Sequence, residues 1–351
     1  MATQTTQPPA LPSKKKALIR RLRPDASQLA RHVVQGLFLL LNGWLGIQFY
    51  LWARYFERGG TGLSVARPPG VEGWLPIAGL MNTKYLVMTG RVPAIHPAAM
   101  FLFIGFMLMS LLLKKAFCSW LCPVGTFSEI LWRLGRRIFG RNLRLPRWFD
   151  IPLRGLKYIL LGLFVAVIGA MSAEALEGFM ATPYGLVADV KMLNFFRTLS
   201  AAGIAVMAIL IVFSFFINNF WCRYLCPYGG LLGLLAMAGP LRIKRDVSLC
   251  IDCGKCARAC PSALNVDQLV TISSAECTGC LNCVAACPVE SSLYLSVAGR
   301  RKVPIWAMAG GVAVLFFGCV AIGQFTGHWH TDLPEKVYLQ LVPRANEFAH
   351  P

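Results

Sequence analysis

Eight cysteines near the C-terminal end of this chain repeat one spacing twice. Cys250, Cys253, Cys256 and Cys260 form a C-x2-C-x2-C-x3-C run closed by Pro261; Cys277, Cys280, Cys283 and Cys287 form a second, closed by Pro288. Three thiolates on so tight a loop wrap one corner of a [4Fe-4S] cube, and the fourth ligand must come from elsewhere. With two such runs, the fourth Cys of each crosses to the other cluster. The expected ligand sets are Cys250, Cys253, Cys256 and Cys287 for cluster 1, and Cys260, Cys277, Cys280 and Cys283 for cluster 2. The sixteen residues between Cys260 and Cys277 leave room for a helix or turn and a return strand. The segment 241–300 is therefore expected to be a compact, pseudo-symmetric α+β unit. Structural zinc is the competing reading, but zinc knuckles need neither the third Cys nor the x3 step followed by Pro. Gly254 and Gly279, with Ala257, Ala259, Ala285 and Ala286, allow the backbone close to the clusters, where N–H groups can donate to sulfur.

The rest of the chain is too apolar for a soluble domain of its size. Of 351 residues, 56% are hydrophobic and 15% charged, with mean hydropathy +0.55. Five runs approach the ~20 residues a bilayer requires: 32–53, 97–113, 158–173, 199–221 and 303–325. Trp44, Trp52 and Trp221 are candidates for interfacial belts. The fold class expected is a mainly α, polytopic membrane bundle of five spans with the cysteine-rich α+β unit inserted. In domain terms this gives a basic leader (1–31), a four-span core (32–240), the inserted unit (241–300), a fifth span (301–326) and a tail (327–351).

The formal net charge is +19. No nucleic-acid reading motif accompanies it, and the cations sit beside apolar runs, so membrane lipid rather than nucleic acid is the expected partner. With the N-terminus inside, the inner segments hold 26 Lys and Arg and the outer segments 9. The positive-inside rule then puts the N-terminus and all twelve patterned cysteines on the cytoplasmic side of an inner membrane, with the C-terminus periplasmic. That side is reducing, as thiolates need. No cleavable signal peptide is evident; 1–31, with Lys14, Lys15, Lys16, Arg20, Arg21, Arg23 and Arg31, reads as a leader whose first dozen residues are disordered. The basic stretch 133–147 reads as resting on anionic lipid.

Four further cysteines belong to an internal repeat. Phe117-Cys118-Ser119-Trp120-Leu121-Cys122-Pro123 recurs, offset by 104 residues, as Trp221-Cys222-Arg223-Tyr224-Leu225-Cys226-Pro227. On a helix, positions i and i+4 share a face, so each pair is expected to point one way. The two pairs then offer four thiols: a third metal centre, iron–sulfur or mononuclear, redox-reactive thiols, or packing residues. The apolar stretches 126–134 and 231–238 that follow are too short to span and read as interfacial helices beneath the inserted unit. Cys319, inside an apolar run, reads as a small buried hydrophobe.

Among five histidines, His96 precedes Pro97 at the outer start of the second run, where it could hydrogen-bond or deprotonate a quinol; a structural role is the alternative. Two haems b would want four well-placed membrane histidines, and the chain lacks them. His328 and His330 are a two-ligand candidate for a weak metal site, and Glu174 and Asp189 are outer-loop acids placed for proton release.

Taken together, a multi-span chain, two C-x3-C-P pairs and a two-cluster insert resemble the membrane polyferredoxins of the NapH/NosR type, and partly the cytochrome oxidase assembly ferredoxins of the CcoG type. The stretches 91–97 (Arg-Val-Pro-Ala-Ile-His-Pro) and 117–123 are most similar to the short "4Fe-4S binding protein" branch, and the resemblance covers about 32–325. The outer segments of this chain are short beside the large outer flavin-binding domain of the NosR type, and the tail after Phe325 is short beside the sizeable outer domain that ends the CcoG type, so neither domain is expected here. The resemblance implies quinol-linked electron transfer to or from an unidentified redox partner. The chain has no nicotinamide or flavin fingerprint, so an electron carrier, or a subunit of a quinol oxidoreductase, is expected over a self-sufficient dehydrogenase. The alternative is an assembly or redox-sensing factor for a respiratory complex.

Overall fold

The computed structural model describes residues 26–297, 301–304 and 306–351. Most of the basic leader, including Lys14 to Arg23, lies outside the described residues.

In chain order the helices are α1 (Ser27–Glu57), α2 (Pro76–Thr89), α3 (Pro97–Leu112), α4 (Pro123–Phe139), α5 (Arg147–Ala170), α6 (Ala173–Ala181), α7 (Pro183–Leu186), α8 (Ala188–Arg197), α9 (Ala201–Phe216) and α10 (Pro227–Ala238). Strand β1 (Leu241–Arg245), α11 (Lys255–Ala259), β2 (Thr271–Ile272), α12 (Asn282–Ala285), β3 (Leu293–Val297) and β4 (Arg301–Val303) follow, then α13 (Trp306–Phe325) and α14 (Glu335–Leu341).

Among the described residues, α1, α5 and α13 are long and apolar enough to cross a membrane. Their exposed faces explain why. Leu29, Val33, Leu37, Leu40, Trp44 and Ile47 form one outward stripe along α1, at the three- and four-residue steps of a helix face. Such a stripe is stable against hydrocarbon and costly in water. The pair α8 and α9 passes the same test only jointly, and it bends by 81° at its break, as a broken span or a re-entrant loop would. The five-span count thus rests on two 16-residue helices, α3 and α9, each about 24 Å long against a ~30 Å hydrocarbon layer.

The chain divides into two compact units, each discontinuous in sequence. The first contains residues 26–38, 107–159 and 210–314. Its only sheet among the described residues has the order β2-β1-β3-β4, antiparallel throughout. Ile243 pairs with Ile272 on one side and Leu295 on the other, fixing the register; all three are buried beneath the cysteine loops.

In the same unit, α4 has its amphipathic pattern turned inside out. Its buried face carries Gly125, Ser128, Glu129, Trp132 and Gly135, and its exposed face Val124, Phe127, Ile130, Leu134 and Ile138. An apolar stripe facing out on a helix ending in Arg133, Arg136 and Arg137 suits the boundary between headgroups and acyl chains. The matching stretch in α10 also buries one face, with Leu232 and Ala236 fully buried and Gly233 on the Ala275 carbonyl, and leaves Leu234 and Met237 exposed on the other. It forms the floor under the sheet unit.

The second unit contains residues 39–106, 160–209 and 315–351. One core cluster joins Phe49, Trp52 and Phe56 to Val187, Val190, Tyr338 and Val342; another joins Met81 and Ala99 to Leu176 and Met180. Helices α2, α6, α7, α8 and α14 were not anticipated from the sequence: they are short and carry the mixed polarity of loops. Cys319 packs against Gly105, consistent with a filling role.

Candidate iron–sulfur site

The two cysteine runs fold as copies of one loop. Asp252 and Gly279, each two residues after the first Cys, have φ of +56° and +64°; Gly254 and Leu281, each just after the second Cys, have φ of +64° and +60°. The left-handed turns curl each loop inward, and the short helices α11 and α12 follow. Left-handed φ comes without steric cost only to Gly, so Asp252 and Leu281 show that the loop conformation is imposed by what surrounds it. Gly279 has a second reason to be Gly. A Cβ there would stand 2.9 Å from Met308 and 3.3 Å from the Lys114 side chain. The Cys277–Cys283 loop is thus pressed against the helical part of its unit, while Asp252 at the matching position has a side chain 74% exposed.

Two recesses lie beside these loops. One, enclosing about 340 Å³, is lined by Cys250, Cys253, Cys256 and Cys287, with Arg245 and Asp267. The other, about 320 Å³, is lined by Cys260, Cys277, Cys280 and Cys283, with Ile243, Ile272 and Leu281. Each gathers three cysteines of one run and the fourth of the other. Burial pushes the thiols of Cys256 and Cys260 up to about 11 and 12, so a metal centre must displace protons to form there. Among the described residues no three Cys, His, Asp or Glu converge closely enough for one ion. Four thiolates on a single zinc, at ~2.3 Å each, would need that convergence, whereas a cluster spreads its ligands. The donor set and its spacing fit iron–sulfur clusters.

The inner loop is clamped by groups from distant parts of the chain. Trp120 Nε1 donates to the Gly279 carbonyl at 3.2 Å, Ser119 Oγ to Thr278 O at 2.6 Å, and Gln28 Nε2 to Cys280 O at 3.0 Å. Arg31, fully buried, bonds both oxygens of Glu129 at 2.6 Å and reaches Asn282 at 3.4 Å. Glu276, beside Cys277, accepts from Lys157 Nζ at 2.6 Å. Burial alone would raise the Glu276 carboxyl, but Lys115 and Lys157 outweigh it and hold it below the usual range. None of these partners was singled out from the sequence. Arg31, Lys115 and Lys157 look like ordinary inner-face cations, and only the position of Lys114 and Lys115, between an apolar run and a Cys pair, could have marked them.

The repeat is seated differently from the helical expectation. Phe117–Leu121 and Trp221–Leu225 are π-turns, and Cys122 and Cys226 cap them with extended backbone. Cys118 and Cys122 therefore do not stack as i and i+4 on an α-helix. Both turns still deliver their thiols to one place. A recess of about 500 Å³ is lined by Cys118, Cys222, Lys115, Asn219, Glu276 and, from the inner loop, Cys280. Cys122 and Cys226 lie within electrostatic reach of Cys118 and Cys222. The residues between the cysteines diverge: Ser119 and Trp120 bond the inner loop, whereas Arg223 and Tyr224 bond Asp150 of α5 at 2.7 and 2.6 Å.

His96 is placed in the second unit, wholly buried, with φ +52°. Its Nδ1 is 3.3 Å from Glu72 and its Nε2 is 2.9 Å from Gly185 O. Arg67 bridges Glu72 at 2.8 Å and Asp189 at 2.7 Å, and Thr331 Oγ1 donates to Glu72 at 2.7 Å. Both ring nitrogens of His96 are occupied, so contact with a quinol requires this network to open. Asp189 is likewise spent on an ion pair. Glu174 lies in the first turn of α6, which Ser172 caps, and its exposed carboxyl is held low by local hydrogen bonds. His328 and His330 belong to no metal-binding group among the described residues.

Residues 95–142 and 199–246 each match a family model described as a 4Fe-4S binding domain, and 242–295 match a 4Fe-4S dicluster domain. The first model covers both C-x3-C-P pairs and the second the eight clustered cysteines. The chain is 47% identical over 326 residues to YccM of Escherichia coli (strain K12), whose electron-transport role is a provisional assignment, with 91% of each chain covered. It is 24% identical to the ferredoxin-type protein NapH of the same organism, over 61% of this chain and 72% of that one. It is 31% identical to the regulatory protein NosR of Pseudomonas aeruginosa, over 52% of this chain and 25% of that one. No solved structure matches. With its membrane-length helices and 4Fe-4S domains, the chain belongs to the NapH/NosR-type family of membrane 4Fe-4S ferredoxins.

Proposed function

We propose that this protein is an electron carrier of the inner membrane, working between the quinol pool and a redox partner on the cytoplasmic side. The observation that carries the reading is the pair of recesses, each ringed by three cysteines of one run and the fourth of the other. Cys250, Cys253, Cys256 and Cys287 would hold one [4Fe-4S] cluster; Cys260, Cys277, Cys280 and Cys283 would hold the second. Such clusters, when bound, supply one-electron transfer at a potential set by charge, hydrogen bonds and exposure. The chain's own part is to fix the two sites unequally. Ser119, Trp120, Gln28 and Lys157 lock the inner loop in place, while the Cys250–Cys256 loop keeps an open side for a partner. The basic face of α4, α5 and the sheet unit supports a cytoplasmic placement of both, with five spans and a periplasmic C-terminus.

The test is anaerobic iron and sulfide analysis with EPR on the full-length protein in detergent, followed by addition of a short-chain quinol. Reduction of the cluster signals by quinol supports the carrier. Intact clusters that exchange electrons with no quinol or quinone would overturn it in favour of an assembly or redox-sensing role.

A further inference from the structure

The exposed stripe of α1 does not stop where its apolar residues stop. Leu40, Trp44, Ile47, Leu51, Arg54 and Arg58 follow one another at steps of four and three residues, so they share one helix face. The first three are exposed, and the last three line an open recess of about 570 Å³ together with Tyr50. Arg54 is the first formally charged side chain after the apolar run 32–53, which puts it where a span passes from hydrocarbon to headgroups. The chain beyond it builds the rest of the recess. Gly59 and Gly60 take left-handed φ of +68° and +83°, and their N–H groups donate to Phe56 O and Tyr55 O, each at 3.0 Å. This is a Schellman turn, followed by Thr61 Oγ1 donating to Arg58 O at 2.8 Å. It satisfies terminal carbonyls of α1 and brings Thr61 and Leu63 to the recess wall. Arg54 is half-buried and held by Tyr50: its Nη1 donates to the Tyr50 hydroxyl at 3.0 Å, and its guanidinium lies 5.7 Å from the ring centroid. Among the described residues no carboxylate comes within ion-pair distance of Arg54 or Arg58; Glu57 pairs with Arg197, and Glu335 accepts from Tyr55 at 3.5 Å.

We propose that this recess binds the headgroup of one anionic phospholipid, with Arg54 and Arg58 on the phosphate and an acyl chain along Leu51, Ile47, Trp44 and Leu40. An amphiphile is the ligand that fits, because apolar residues run directly into cations on one face; a soluble anion would leave the exposed stripe unused. A guanidinium offers two parallel N–H donors to phosphate oxygens. Arg54 is already fixed by Tyr50, so it gives up less side-chain freedom on binding. Two arginines with no acid between them also select against a zwitterionic lipid, whose own cation would face them. Such a site would hold the end of α1 at the membrane boundary, whether or not the protein exchanges electrons with quinol.

Native mass spectrometry of the full-length protein in detergent tests it, with phosphatidylglycerol, phosphatidylcholine and inorganic phosphate as probes. One phosphatidylglycerol per chain should be retained at concentrations that leave phosphatidylcholine unbound. A cation near an anionic lipid contributes about fivefold in affinity. Arg54→Gln and Arg58→Gln should therefore each weaken retention by about that factor, and the double variant by about twenty-fivefold. Arg54→Lys, which keeps the charge but not the fork, should fall between Arg54→Gln and the parent. Arg58 is exposed, so its variant reads the site even where Arg54→Gln destabilises the helix. Arg136→Gln, on the exposed basic end of α4, should leave retention unchanged. Equal retention of the two lipids, or an equal loss in Arg136→Gln, would overturn the site in favour of diffuse attraction between a basic protein and anionic lipid. Displacement of phosphatidylglycerol by inorganic phosphate would overturn lipid as the ligand.

Discussion

Glu276 and Lys157 lie 119 residues apart in sequence and 2.6 Å apart in space, and the pair decides whether the inner loop stays docked. Removing one partner of a buried ion pair leaves the other uncompensated, at about 3–5 kcal/mol. Glu276→Gln should lower the thermal midpoint in detergent accordingly, and a variant as stable as the parent would refute the clamp. Glu72 gives a second residue-scale prediction. Burial raises its carboxyl, but Arg67, His96 and Thr331 prevail and hold it at about 2, below an ordinary value of 4.5. A depressed carboxylate contributes stability that is fully present above its unfolded pKa and is lost as pH falls through the folded one. His96 shifts the other way: burial lowers it, Glu72 raises it further, so its contribution is lost as pH rises. Midpoints of the parent measured from pH 5 to 2 should fall, and Glu72→Gln should flatten that fall; parallel curves would exclude the network as the cause. At this scale the grouping of the eight cysteines, three of one run with the fourth of the other, was legible from their spacing. Their polar partners were not, because a lysine near a membrane face reads the same whether it meets lipid or a buried carboxylate.

Among the elements, the repeat turns show most clearly where pattern reading stops. The sequence marks two copies of C-x3-C-P, but the extra residue of a π-turn leaves no periodicity over five positions. What enforces the turn is tertiary: Gly125 on the Cys118 carbonyl, and Gly135, whose Cβ would stand 2.0 Å from Phe215 O. Gly125→Ala should force the backbone apart, costing about 1–3 kcal/mol, and disturb whatever the cysteines hold. Gly36→Ala, on α1 with nothing within 4 Å, should be neutral or slightly stabilising. Equal effects in a denaturation assay would remove the packing argument. The membrane-length helices α1, α5 and α13 were legible from long apolar runs, with ends shifted by several residues; α1 begins at Ser27 rather than near His32, extended by the buried Ser27 and Arg31. Helices α6 to α8 stayed hidden because their burial is spent on contacts within their own unit.

For the whole molecule, the charge asymmetry makes the orientation testable. A C-terminal alkaline phosphatase fusion should be active and a C-terminal green fluorescent protein fusion dark, as a periplasmic end requires; the reverse pattern would invert the topology and set the cysteine loops on the oxidising side. The division into two units was not legible, since each is assembled from three separated segments and only tertiary contact joins them.

The unequal seating of the two cysteine loops bears on oxygen. Air reaches an iron–sulfur cube through gaps in its protein wall. Part of the wall around Cys277 to Cys283 is supplied by Ser119, Trp120 and Gln28, far from the loop in sequence. A fragment trimmed to 241–304 would therefore uncover the Cys277–Cys283 loop while leaving the Cys250–Cys256 loop largely as it was, and any iron–sulfur absorption it carries should bleach faster in air than that of the full-length protein.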